Sequence, residues 1–252
     1  MEAKALSQYE GRMTDRITVN DGIDWDAASH RFAATRRVQI PGFLSAESAR
    51  ALHAALIDRR DWRHLISAGP KIFETACDAL DRMPGEQRAM LDQALHSEAT
   101  RGFRFRYDLI RVPDQLEAAP DDEDPLFGFA RLMNAPATIA HFRAVAPGLA
   151  FDFADAQATR YTSGDFLTRH DDDVAGKGRA LAYVLSLTPD WLPEWGGLLL
   201  FNGQEGGIVD TFVPRFNTLT LFTVGQPHSV SYVAPYAGAA RISVTGWLRT
   251  ES

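Results

Sequence analysis

The stretch Arg160-Tyr-Thr-Ser-Gly-Asp-Phe-Leu-Thr-Arg-His170-Asp-Asp172 decides how the second half of this chain is read. On an extended strand, residues i and i+2 share a face. His170 and Asp172 then project together, and Asp171 points away. The neighbouring segments are also strand-like: 151–161, 179–187, 197–201, 207–213, 217–222, 229–233 and 241–248. Gly164, Pro189, Gly196-Gly197, Gly206-Gly207, Pro214, Pro227 and Gly238 punctuate them as turns. Many short strands with frequent turns predict a jelly roll or barrel.

The first half is different. Arg37 to Leu44 reads as a short strand ending in a turn. Ser45 caps a helix with Ala49, Leu52 and Leu56 on one face. Gly85 to Glu98 is a second helix, with Met90, Leu91, Ala94 and Leu95 as its apolar stripe. Gly102 to Val112 alternates as a strand should, and residues 124–146 read as helix broken near Pro136. The fold class is therefore mainly β with flanking helices (α+β). No Gly/Ser- or Pro-rich linker separates the halves. We expect a polar segment over 1–35 and a single domain over 36–252, with helices outside a catalytic β core at about 151–249.

Composition excludes several classes. A net charge of −7 gives no support for direct nucleic-acid binding. No stretch approaches the roughly 20 apolar residues of a membrane span. The single cysteine, Cys77, fits a reducing cytoplasm and reads as a small apolar helix residue. The first ten residues carry charges where a signal peptide needs an apolar run. The acidic run 121–124 reads as a solvated loop or helix start.

A second histidine, His228, opens a later strand, and Arg241-Ile-Ser243 follows. Two histidines and one carboxylate can hold one face of a metal ion and leave the other positions open, the arrangement of non-haem Fe(II) oxygenases. An arginine downstream can clamp the carboxylate of an organic acid on that metal. A bare His-x-Asp is a weak signal; the order His-x-Asp, His, Arg-x-Ser is far more specific.

Five motifs carry a resemblance over about residues 151–249. They are Gln157-x-x-x-Tyr161-x-x-Gly164-x-Phe166-Leu167-x-x-His170-Asp-Asp172; Gly196-Gly197 to Phe201; Pro214-x-Phe216-Asn217-x-Leu219-x-x-Phe222; His228-x-Val230; and Arg241-x-Ser243-x-x-Gly246-Trp247. The chain resembles the 2-oxoglutarate and Fe(II)-dependent oxygenases of the prolyl 4-hydroxylase type, and within them the branch acting on a ribosomal protein. The resemblance implies a double-stranded β-helix (jelly roll, cupin-like) with an N-terminal helical layer. It implies Fe(II), 2-oxoglutarate and O2, with ascorbate as an accessory. His170, Asp172 and His228 would bind the metal. Arg241, Ser243 and Tyr161 would meet the 2-oxoglutarate carboxylate, and Arg179 and Trp247 would face the substrate. Ser186 stands where some relatives carry a co-substrate tyrosine, which shifts weight onto Tyr161. Gly176-Lys177-Gly178 is a candidate lid or only a hairpin tip.

The leading reading is a peptidyl-prolyl hydroxylase whose partner is a protein or peptide, a ribosomal protein on the resemblance. A second keeps the chemistry but takes a free amino acid or small metabolite. A non-catalytic cupin-like binding protein is a third reading, which an acid clamp argues against. Metal-dependent hydrolysis is a fourth, and it would consume no 2-oxoglutarate.

Overall fold

Strand pairing organises the molecule. The computed structural model describes residues 17–69, 71–114, 124–203 and 205–250. Residues 1–16 and residues 121–123 of the acidic run lie outside them. The elements, in chain order, begin with α1 (Trp25–Thr35), β1 (Arg37–Pro41), α2 (Ala46–Asp58), β2 (Arg63–Ala68) and β3 (Lys71–Ala76). Next come α3 (Cys77–Asp81), α4 (Gly85–Ala99), β4 (Phe105–Arg111), α5 (Pro125–Met133) and α6 (Pro136–Val145). The second half holds β5 (Phe153–Ala154), β6 (Gln157–Tyr161), β7 (Phe166–His170), β8 (Arg179–Ser186) and β9 (Leu199–Asn202). It ends with β10 (Ile208–Phe212), β11 (Thr218–Thr223), β12 (His228–Val230) and β13 (Arg241–Arg249).

The strands pair in the order β1-β11-β8-β13-β6-β4-β7-β12-β9-β10. This is a curled antiparallel sheet: β6 and β7 are consecutive in the chain, yet they are joined only through β4, which pairs with both. One wall holds β1, β11, β8, β13 and β6, and the other holds β7, β12, β9 and β10. The space between the walls becomes the site described below.

The core lies where helices cover the first wall. Ala49, Leu52 and Leu56 of α2 are buried, as the stripe in the sequence predicts, and the Ser45 hydroxyl accepts from Ser48 N–H at the helix start. Phe129, Met133 and Phe142 of α5 and α6 join Leu185, Leu219, Leu221 and Val244 in one cluster. α4 departs from the reading. Met90 is exposed and Leu95 is its buried residue. The helix rests on the β2 face by one edge, against Ile66 and Phe166, so its stripe needs no more than that contact.

The polar segment 1–35 contains α1, begun by Asp24, whose carboxylate accepts from Ala27 N–H at 2.8 Å. Phe32 of α1 is fully buried in the main core. Phe32→Ala is expected to cost about 3–5 kcal/mol through lost burial and an unfilled cavity. Urea denaturation checks this; a loss under about 1 kcal/mol would mean that the site collapses around the truncation.

Asn217, in a left-handed conformation (φ 53), locks the start of the domain to β11. Its side chain accepts from Leu44 N–H at 2.9 Å and donates to Leu44 C=O at 2.7 Å. Cys77 opens α3 and donates to Trp62 C=O. Burial first, then the nearby Asp108 charge, pushes its thiol up to about 11, so it stays protonated and unreactive at neutral pH. No helix among the described residues is long and apolar enough to cross a membrane.

Candidate active site

Two neighbouring strands of the second wall bring the histidines together. β12 pairs with β7 so that His228 stands opposite His170. Side chains of paired residues share a face, and the two rings lie 4.1 Å apart, centroid to centroid. His228 thus arrives from the adjacent strand, not from across the barrel. Asp172 also arrives by another route than strand alternation. β7 ends at His170, and Asp172 sits beyond it with φ 63. A left-handed turn swings its carboxylate back between the rings. Asp172 Oδ1 lies 3.4 Å from His170 Nε2, and Oδ2 lies 3.4 Å from His228 Nε2.

Both rings are oriented from behind. His170 Nδ1 faces Thr168 C=O at 3.0 Å, and His228 Nδ1 faces Gln226 C=O at 2.8 Å. A carbonyl only accepts, so each Nδ1 must carry the proton and each Nε2 presents its lone pair to the shared point. Ligand atoms of all three residues lie within 4.8 Å of one another. Asp171 is exposed and caps Asp173 N–H.

Arg241 begins β13 on the first wall, paired with Tyr161 of β6. It is only 3% exposed. Its guanidinium sits over the Tyr161 ring at 5.1 Å, its Nε has no hydrogen-bond partner, and no carboxylate among the described residues pairs with it. Burial accordingly lowers its pKa. A buried cation without a counter-ion is costly, so this position is shaped for an anion that comes from outside the chain. Gly197 makes the room: a Cβ there would stand 3.0 Å from Arg241 Cδ and 3.1 Å from the Trp191 ring. Burial holds the Tyr161 phenol well above its ordinary pKa, leaving it a hydrogen-bond donor.

The triad and Arg241 open on one cavity of about 510 Å³. Arg179, Trp247 and Tyr161 line it too. The Arg179 guanidinium stacks on the Trp247 ring at 3.5 Å, and both Arg179 Nε and Trp247 Nε1 are buried without partners. Ser243 is placed differently from its neighbours. It is fully buried and does not line the cavity; its hydroxyl meets that of Thr159 at 3.1 Å, and Thr159 lines the wall instead. The Gly176–Gly178 turn is tied to the body by Thr250 N–H, which donates to Gly178 C=O at 3.0 Å.

Sequence reasoning passed over Tyr107 and Thr159. Tyr107 stacks on Tyr161 at 5.2 Å, and burial pushes its phenol up to about 12. Its one signal was a place in the alternating strand of Phe105, Tyr107 and Leu109, which marks a face but not what the face looks onto.

Residues 156–249 match the model of the 2OG-Fe(II) oxygenase superfamily. This segment of the chain is similar to 2OG-Fe(II) oxygenases. The chain is also similar to curated proteins. It is 41% identical over 100 residues to prolyl 3-hydroxylase OGFOD1 of Xenopus laevis, covering 37% of this chain and 19% of that one. Prolyl 3-hydroxylase sudestada1 of Drosophila melanogaster is 29% identical over 117 residues, 41% of this chain and 21% of the relative. The match thus spans about a fifth of those relatives' length. The fold as a whole is like that of a Pseudomonas putida prolyl-4-hydroxylase, with TM-score 0.59 and 23% identity over 90% of this chain and all of that one. It is equally like a Trichoplax adhaerens prolyl hydroxylase solved with a peptide fragment, with TM-score 0.59 and 16% identity over 89% of this chain and 88% of that one. These neighbours share the double-stranded β-helix.

The oxygenase family works with Fe(II), 2-oxoglutarate and O2, and the residues present fit them. Two imidazoles and a carboxylate converge as a facial set for iron. The unpaired Arg241 fits the far carboxylate of a dicarboxylic acid.

Proposed function

We propose that this chain is an Fe(II)- and 2-oxoglutarate-dependent dioxygenase that hydroxylates a prolyl residue within a protein, releasing succinate and carbon dioxide. The observation that carries this reading is the unpaired, buried Arg241 opening on the same cavity as the His170–Asp172–His228 set. A metal site alone would serve a hydrolase or a binding protein. A metal site facing a vacant acid clamp suits a 2-oxo acid.

Iron with 2-oxoglutarate and dioxygen supplies the oxidant for an unactivated C–H bond. The chain's own residues do the rest. His170, Asp172 and His228 hold the metal through Nε2, a carboxylate oxygen and Nε2. Arg241 binds the far carboxylate of 2-oxoglutarate, and the Tyr161 hydroxyl is a second donor. Ser243 acts through the Thr159 hydroxyl that it contacts. Arg179 and Trp247 form the wall beside the target proline: the indole gives a flat apolar surface, and the buried unpaired N–H groups suit backbone carbonyls of a peptide. The cavity holds one C–H bond near the metal.

The prolyl substrate is supported by the 41% identity over 100 residues to a protein named prolyl 3-hydroxylase. A ribosomal protein as the partner rests on the resemblance in the motifs. A single unit is supported by the continuous core between the helices and the first wall, a core that also takes in Phe32 of α1 ahead of residue 36. A cytoplasmic setting is supported by one cysteine kept as a thiol.

The test has two stages. Anaerobic protein with Fe(II) and 2-oxoglutarate should show the weak visible charge-transfer band of the chelate. Proteome mass spectrometry should then reveal one hydroxyproline that disappears when the enzyme is deleted. Trp247→Ala and Arg179→Ala should lose substrate-coupled turnover and keep the chelate band. If no proline changes and a free amino acid is hydroxylated at a useful rate, the peptide reading fails.

A further inference from the structure

Arg37 lies far from the metal ligands in sequence and outside the segment that matches the family model. Three contacts nevertheless connect it to His228. Its Nη1 donates to Gln226 Oε1 at 2.7 Å, and the Gln226 carbonyl is the group that accepts from His228 Nδ1. Its guanidinium lies over the Phe201 ring at 4.6 Å, and Phe201 is the β9 residue opposite His228. Across β1 and β11, Arg37 stands opposite Phe222, whose ring meets the His228 ring edge-on at 4.7 Å.

Arg37 is itself fixed. Its Nε donates to Asp210 Oδ2 at 2.8 Å, from β10 at the end of the second wall. The Gln226 amide is fully engaged: its NH2 donates to Arg36 C=O and Thr223 Oγ1, each at 2.8 Å. The loop that precedes β12 is thus held from the N-terminal layer at two atoms, Arg37 Nη1 and the Arg36 carbonyl oxygen. A ligand histidine needs its ring angle and tautomer fixed, and hydrogen bonds behind it commonly do so. Here the carbonyl behind His228 belongs to a residue whose own side chain Arg37 grips.

We propose that Arg37, held by Asp210, is a positioning residue for the metal ligand His228, acting through Gln226 and the Phe201–Phe222 pair. This rests on the metal-site reading above. It makes β1, the strand from the N-terminal layer, part of what forms the metal site. A merely structural Arg37 would stabilise the fold when metal is absent; a positioning Arg37 tunes the metal.

The test uses the full chain and Co(II) alone as a probe, read by its visible d–d absorption, with thermal melting of the metal-free protein beside it. Arg37→Met keeps an unbranched side chain of similar reach and removes the guanidinium fork. It should weaken Co(II) binding about tenfold, the lower end of what outer partners of ligands contribute, and shift the d–d bands. The metal-free protein should melt within a few degrees of wild type. Arg37→Lys should recover part of the affinity, and Gln226→Ala should reproduce the loss without adding to it in the double variant. If Arg37→Met does not fold, Asp210→Asn loosens the same grip and should give a smaller loss in affinity with a band shift. Wild-type affinity and an unchanged spectrum in the folded variants would overturn the brace. Failure of wild type to bind Co(II) would remove the metal site, and the brace with it.

Discussion

His170→Ala, Asp172→Ala and His228→Ala are each expected to abolish succinate formation while the protein stays folded. Each removes one of three protein ligands, so the loss in metal affinity should exceed the roughly 10–100-fold that outer partners contribute. The metal-free proteins should unfold cooperatively near the wild-type temperature, because the three side chains line a cavity and fill no core. Asp171→Ala should remain active: its carboxylate is exposed, and it caps one N–H of the loop. Succinate release and calorimetric metal binding, measured on all four variants, decide the matter. An inactive Asp171→Ala beside an active Asp172→Ala would mean that the turn after β7 is misplaced by one residue.

Arg241→Ala should raise the 2-oxoglutarate requirement steeply and leave metal affinity nearly unchanged. Removing one partner of a buried ion pair costs about 3–5 kcal/mol, roughly two to three powers of ten in Kd. Arg241→Lys should recover only part, because an ammonium cannot make the forked contact. A second signature separates this from a structural role. Without co-substrate, Arg241 is a buried cation with no counter-ion, so its removal should not lower the melting temperature of the metal-free protein. The wild type should gain stability on adding 2-oxoglutarate with metal, and Arg241→Ala should lose that gain. Titration of 2-oxoglutarate against both variants, with melting curves, tests the assignment; unchanged affinity would remove Arg241 from the site.

Much of this was legible in the chain. Turn residues and period-2 runs marked β8 to β11 and β13 within a residue or two, because those signals are local, whereas β12 ends three residues earlier than its run suggested. Ser45 and the Ala49–Leu52–Leu56 stripe marked α2, and Pro136 marked the break between α5 and α6. The β2–β3 hairpin was not legible. β3 pairs only with β2 at the sheet's edge, and most of its residues are exposed, so it lacks the buried alternation that announces a strand. α1 escaped for a similar reason: Ala28 and Phe32 are its buried residues, too few to mark an apolar face.

The sequence by itself determined the chemistry. Two histidines, one carboxylate and an arginine in that order restrict the metal and co-substrate, because donor atoms are a property of residue type. Tertiary structure decided how they meet. Register placed His228 opposite His170 on an adjacent strand, and a left-handed turn, not strand alternation, delivered Asp172. It also put Thr159 on the cavity wall where Ser243 was expected, stacked Tyr107 on Tyr161, and set Arg37 behind His228. Each of these is a contact between strands distant in sequence. A strand's pattern shows which residues share a face; only pairing across the fold fixes what that face meets.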